Sequence, residues 1–156
     1  MKIKNNVGLS DSLADRTRTD YIVIHHSATR AHQDFDVFDI IDWHKERSWD
    51  TVGYHFIIKR NGVIQNGRPI NKKGAHVYGF NSKSIGICVM GGSTDDMKGA
   101  EDNFTDEQYE ALRTTVLLCS ELYPDAKIVK HRDLDDKKEE DNRMDLERIR
   151  LPIRKK

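Results

Sequence analysis

Short apolar runs rich in β-branched residues alternate along this chain with amphipathic stretches, the pattern of strands and helices taking turns. Residues 21–25, Tyr-Ile-Val-Ile-His, read as a buried strand ending on His25-His26-Ser27. From Phe35 to about Arg47, Val37, Ile40, Ile41 and His44 follow helical spacing, and Phe38 widens the stripe. Residues 54–59 are again strand-like. The Asn61-Gly62 pair that follows predicts a type I′ hairpin, because both central residues of that turn need positive φ. Residues 84–90 form a further apolar strand closed by Gly91-Gly92. Phe104-Thr105-Asp-Glu-Gln108-Tyr109 opens a long helix, with a capping box from Thr105 to Gln108, a hydrophobic staple between Phe104 and Tyr109, and Pro124 as its stop. Residues 126–130 are a last short strand feeding His131, and the charge-dense stretch 132–150 holds a short helix near its end.

Strands alternating with helices predict a single α/β domain over residues 21–150, a central mixed β-sheet with helices on both faces. The polar, aperiodic residues 1–20 read as an N-terminal arm or edge segment, and residues 151–156 as a basic tail. The acidic stretch 93–102 reads as a solvated surface loop. No internal repeat interrupts this plan.

Composition narrows the function. The chain has 156 residues, with Lys+Arg 26 against Asp+Glu 26 and seven His. Zero formal charge gives no basic footprint for nucleic acid, which is excluded as a partner. A chain of this length buries roughly 68–70% of its unfolded surface, enough for a core without staples, so a metal would be present for chemistry. Cys88 and Cys119 lie in apolar runs without CxxC spacing and read as small buried hydrophobes. The early lysines are not followed by the apolar stretch of about 7–15 residues that a secretory signal needs. Nor is there the run of roughly 18 apolar residues expected of a membrane span.

The histidines carry the chemical question. His25 and His131 each follow directly on a predicted strand, where open α/β sheets place ligand sites. Catalytic zinc takes three protein ligands and leaves a position for water, so two strand-end histidines and a carboxylate after His131 would meet that count. Spacing alone leaves both histidines open to a structural reading.

The fragments His25-His-Ser-Ala-Thr29, Trp43-His-Lys-Glu46, Val52-Gly-Tyr-His-Phe-Ile-Ile-Lys-Arg-Asn-Gly62, Ala75-His76, Gly79-Phe-Asn81, Ser84-Ile-Gly-Ile87 and His131-Arg-Asp133, in this order, add what spacing lacks. Together they closely resemble the zinc-dependent N-acetylmuramoyl-L-alanine amidases. The likeness is greatest to the small phage lysozyme-type amidases, which share their fold with peptidoglycan-recognition proteins. It runs from about Tyr21 to about Ile149 and implies Zn²⁺-dependent cleavage of the amide between N-acetylmuramic acid and L-alanine.

Carried over by position, the resemblance makes His25 and His131 zinc ligands. The third ligand of the family lies in a Lys-x-Cys-Pro or Lys-x-Asp-Pro motif, which this chain lacks; Arg143-Met-Asp145 is the nearest match. The resemblance thus implies Asp145 as third ligand, with Glu140 and Asp141 as competitors, and Arg143 in place of the Lys that holds the oxyanion. Arg keeps the charge but is larger and cannot be deprotonated. Tyr54 matches the tyrosine used beside the metal, and its alternative is a core aromatic. Strand alternation would put Tyr54 and Phe56 on one face and His55 on the other. His76 and Asn81 match substrate-side positions, although Asn81, like Gly53, Gly62 and Gly86, also reads as a structural turn or close-approach residue. His26, His32, His44 and His55 read as packing or surface residues.

The expectation is therefore a monomeric amidase acting on peptidoglycan or muropeptides. It is made in the cytoplasm and reaches the wall through a holin-type pore in a phage or prophage setting, or recycles wall fragments in the cytoplasm. The competing reading is a non-catalytic peptidoglycan-binding or regulatory protein on the same fold.

Overall fold

A computed structural model describes residues 13–46, 52–135 and 141–149. Strands β1 (Tyr21–His26), β3 (Phe56–Ile58), β5 (Ser84–Val89) and β7 (Lys127–Lys130) run parallel, and β4 (Ile64–Asn66) adds an antiparallel edge, giving the order β4-β3-β5-β1-β7. A second, two-stranded sheet pairs β2 (Thr29–Arg30) with β6 (Gly92–Ser93). The central mixed sheet flanked by helices, expected from the alternation, is the architecture found.

Each face of the large sheet is covered by one helix. Ile22, Ile24, Ile85, Ile87, Val89 and Ile58 pack against Tyr109, Leu112, Val116 and Cys119 of α2 (Asp106–Leu122). On the other face Ile57, Cys88 and Met90 meet Val37, Ile40 and Ile41 of α1 (Val37–Lys45). Period-2 alternation within β1 and β5 sends one set of side chains to each helix. On the α1 side β1 and β5 also carry His25, Ser84 and Gly86 beside Val23 and Cys88, and this is where the site is built.

Capping fixes both helices. The Asp36 side chain accepts from the Phe38 and Asp39 amides at the start of α1. At α2, Thr105 Oγ1 accepts from the Gln108 amide at 3.1 Å and Gln108 Oε1 from the Thr105 amide at 3.0 Å. The Phe104 and Tyr109 rings lie edge-on at 6.3 Å, as the staple requires.

Two local expectations are corrected. The β3–β4 turn is not type I′: among its residues only Gly62 has positive φ (+86°), and the Gly62 amide bonds to Lys59 O while the Lys59 amide bonds to Val63 O. That is a turn through Arg60 and Asn61 followed by a left-handed glycine bulge. Strand β3 also begins at Phe56, not Tyr54, so ladder alternation does not govern Tyr54 and His55. Tyr54 packs with the α1-side cluster, and His55 reaches His76 over the same face.

Residues 14–16 of the N-terminal stretch lie along the 71–73 loop. The Lys73 amide donates to Ala14 O, the Arg16 amide to Asn71 O, and Lys72 pairs with Asp15 at 2.7 Å. The charged tail, residues 151–156, lies outside the described residues. No helix among the described residues is long and apolar enough to cross a membrane.

Candidate active site

Parallel pairing of β1 with β7 ends at Ile24 opposite Lys130, so the next residue of each strand, His25 and His131, emerges side by side at the carboxyl edge of the sheet. The short helix α3 (His131–Leu134) starts there, and Asp133 Oδ2 accepts the Lys130 amide at 2.9 Å to shape its first turn. Both imidazoles are buried, and their Nδ1 atoms face each other at 3.3 Å. Two imidazoles converging through one nitrogen each make a donor pair for a cation.

His76 lies beneath them. Its Nδ1 is 2.9 Å from His25 Nε2 and its Nε2 is 3.2 Å from Ser84 Oγ. The ring fits because β5 and the preceding loop carry glycines: a Cβ on Gly86 would stand 2.6 Å from His76 Cγ, and one on Gly74 2.5 Å from Cδ2. The Oδ1 atom of Asn81 accepts from the His76 and Val77 amides at 2.8 and 2.9 Å, tying down the loop that delivers His76. Burial is the main cause that holds His76 well below an ordinary histidine pKa, and its histidine neighbours act in the same direction. His76 is thus buried against His25 and Asn81 holds its loop; the resemblance implies contact with substrate for both.

Tyr54 completes the near wall. Its ring centroid is 5.1 Å from His25, 5.5 Å from His44 and 6.4 Å from His76. With Ser27, Ile40, Trp43, His44 and Cys88 it lines a cavity of about 140 Å³. His44 Nδ1 accepts the Gly53 amide at 2.8 Å, and the buried Arg68 donates to Val52 O and Lys73 O, so the loop carrying Tyr54 is braced from both sides.

The remaining residues divide. Asp145 is exposed: its amide donates to Tyr109 Oη on α2, and its Oδ1 accepts the Glu147 amide at the head of the 3₁₀ turn Leu146–Ile149. It is not brought to the histidine pair. Asp141 borders an open groove shared with His26, Ser93, Met97 and Arg132, and both its carboxylate oxygens accept from the exposed Arg143, at 2.7 and 2.9 Å. That ion pair lowers the Asp141 carboxyl pKa. Glu140 lies outside the described residues. Among the described residues no three His, Cys, Asp or Glu side chains are arranged to hold a metal ion.

Sequence reading missed the contacts that bring the 141–145 segment here. Lys130 Nζ donates to Asn142 O and Met144 O, and Asn142 Nδ2 to Ile24 O, the residue before His25. Polar residues in a charge run carry no periodic signal for such contacts. Ser84 was missed for a similar reason, since it opens an apolar strand.

Known proteins align with this arrangement. The family model described as N-acetylmuramoyl-L-alanine amidase matches residues 15–143. The endolysin of Klebsiella phage KP32 is 44% identical over 120 residues, covering 76% of this chain and 78% of the phage protein. Among solved structures, the endolysin amidase LysCS from Clostridium intestinale superposes with a TM-score of 0.74 at 26% identity, over 90% of this chain and 87% of that one. A Drosophila PGRP-LB variant in complex with tracheal cytotoxin superposes with a TM-score of 0.68 at 26% identity, over 84% and 80% of the two chains. With the family match spanning the sheet, the histidine cluster and the loops around them, this chain belongs to the N-acetylmuramoyl-L-alanine amidase family.

Proposed function

We propose that this peptidoglycan amidase is a zinc enzyme of the endolysin type, cleaving between N-acetylmuramic acid and L-alanine with His25 and His131 as two of its metal ligands. One observation carries the metal assignment. Nitrogens each about 2.0–2.1 Å from a zinc ion at the tetrahedral angle stand about 3.3–3.4 Å apart, and the two Nδ1 atoms are 3.3 Å apart. That pair fits two of the positions zinc offers. Bound there, zinc supplies Lewis acidity toward the lactyl carbonyl and lowers the pKa of a water to about 7.

For the third donor we favour Asp141 over Asp145. Asn142, its neighbour, is held to Ile24 O, and Asp141 would exchange its ion pair with Arg143 for the metal, whereas Asp145 is held away from the histidines by its amide bond to Tyr109 and its cap on the 3₁₀ turn. Tyr54, its ring tilted against His25, orients the attacking water or relays its proton. Arg143, two residues from Asp141, is the cation assigned to the developing oxyanion, and a preorganised donor of that kind contributes about 2.7–4 kcal/mol. The alanine amine leaves protonated, giving a glycan strand and a free stem peptide. Peptidoglycan or muropeptide is the partner, and delivery from the cytoplasm through a holin-type pore belongs to the same reading.

Zinc content and amine release from purified peptidoglycan test it. The wild type is expected to hold one zinc and release amines, and His25→Ala or His131→Ala to lose both. Asp141→Asn should lose metal and Asp145→Asn keep it, while the reverse would restore Asp145 as ligand. Arg143→Ala should retain metal and lose about 10²–10³ in turnover. Wall binding without amine release would establish a non-catalytic binder instead.

A further inference from the structure

We propose that His76 and Ser84 form a relay that fixes the tautomer of His25, keeping its lone pair on Nδ1, the atom facing His131. The inference rests on the zinc reading above for its purpose, but its geometry stands apart from any metal. Ser84 has one hydroxyl proton, and Ser84 Oγ donates it to Phe80 O at 2.8 Å. The 3.2 Å contact with His76 Nε2 must then be donated by the imidazole. A neutral His76 with its proton on Nε2 has an acceptor at Nδ1, so the 2.9 Å contact there is donated by His25 Nε2. His25 thereby carries its lone pair on Nδ1.

Every member of the chain is buried, Ser84 at 0% and His25 at 1% exposure, so bulk water does not compete for these protons. The slot made by Gly86 and Gly74 holds the His76 ring in the one plane that serves both neighbours. His131 turns its other nitrogen, Nε2, toward Asp135 Oδ2 at 3.9 Å, and its Nδ1 toward that of His25. His76 is in this account a positioning residue. Outer partners of metal-bound histidines commonly carry about 10–100-fold of metal affinity.

The test is nitrogen-15 NMR of the histidine side chains in metal-free full-length protein, together with zinc affinity by chelator competition. In the wild type, His25 and His76 should both show a protonated Nε2. Ser84→Ala should shift His25 toward the Nδ1-protonated form, and Ser84→Ala and His76→Phe should each raise the zinc dissociation constant about 10–100-fold. A wild-type His25 protonated on Nδ1, or variants that bind zinc as tightly as the wild type, would overturn the relay while leaving the zinc reading intact. A wild type with the expected tautomers but no zinc affinity would retain the relay as a structural device and remove the zinc reading.

Discussion

His55 is kept neutral by its neighbours. Nδ1 accepts the Gly86 amide at 3.0 Å and Nε2 donates to Lys72 O at 2.7 Å, so both nitrogens are committed and no site remains for a second proton. Burial is the main cause that brings its pKa from 6.5 to about 4, opposed by the Lys72 bond and helped by the positive charges of Arg16 and Arg68. The unfolded chain therefore binds a proton that the folded chain refuses between those two values. The resulting stability is fully present above about pH 6.5 and is lost as pH falls toward about 4. The loss is on the order of 3 kcal/mol for this group, with His76 shifted in the same direction. Denaturant unfolding of metal-free protein at pH 7 and pH 5 is expected to show lower stability at pH 5. His55→Asn keeps a carbonyl toward Gly86 and should flatten that dependence; an unchanged slope would mean His55 does not remain neutral in the fold.

Among the elements, those with an internal code are found within a residue or two of where the sequence puts them. The capping box fixes α2 at Thr105, and the β-branched runs define β1, β5 and β7. What failed depends on partners far along the chain. The sheet claims only Phe56–Ile58 of the run 54–59, because Tyr54 O and His55 O accept from Arg68 and Gly67 where the loop returns. The convergence of His25 with His131 was legible from strand ends, and its approach by Tyr54 from the resemblance of the adjacent loop. Asp145 was not, because the contacts of Lys130, Asn142 and Tyr109 decide where its segment lies. Since α2 covers the sheet face opposite the histidines, its cap and the chemistry should separate. Thr105→Ala is expected to lower unfolding free energy by about 1 kcal/mol, with zinc content and amine release at wild-type levels. Reduced zinc in that variant would mean that α2 and the site are coupled.

At the scale of the whole molecule, the proposed ligands join distant parts of the chain at the edge of the sheet. His25 and His131 lie 106 positions apart in the chain. They meet at the junction of β1 with β7, an edge strand whose residues are exposed or only half-buried. An unfolded chain scatters these donors, so a cation held by them binds the folded state and stabilises it by mass action. The gain is about 4 kcal/mol when free zinc exceeds its dissociation constant a thousandfold. For a domain of this size each kcal/mol moves the midpoint by about 2–4 °C. Stripping the metal with a chelator is therefore expected to lower Tm by roughly 8–16 °C, and restoring zinc to reverse it. His25→Ala should melt near the stripped wild type and ignore added zinc, because it lacks one of the two converging nitrogens. Hydrogen exchange would locate the effect: protection lost on stripping should concentrate in β7 and residues 141–145, with β3 and β5 unchanged. Uniform loss across the sheet would mean that the cation supports the entire core rather than the edge on which its ligands sit.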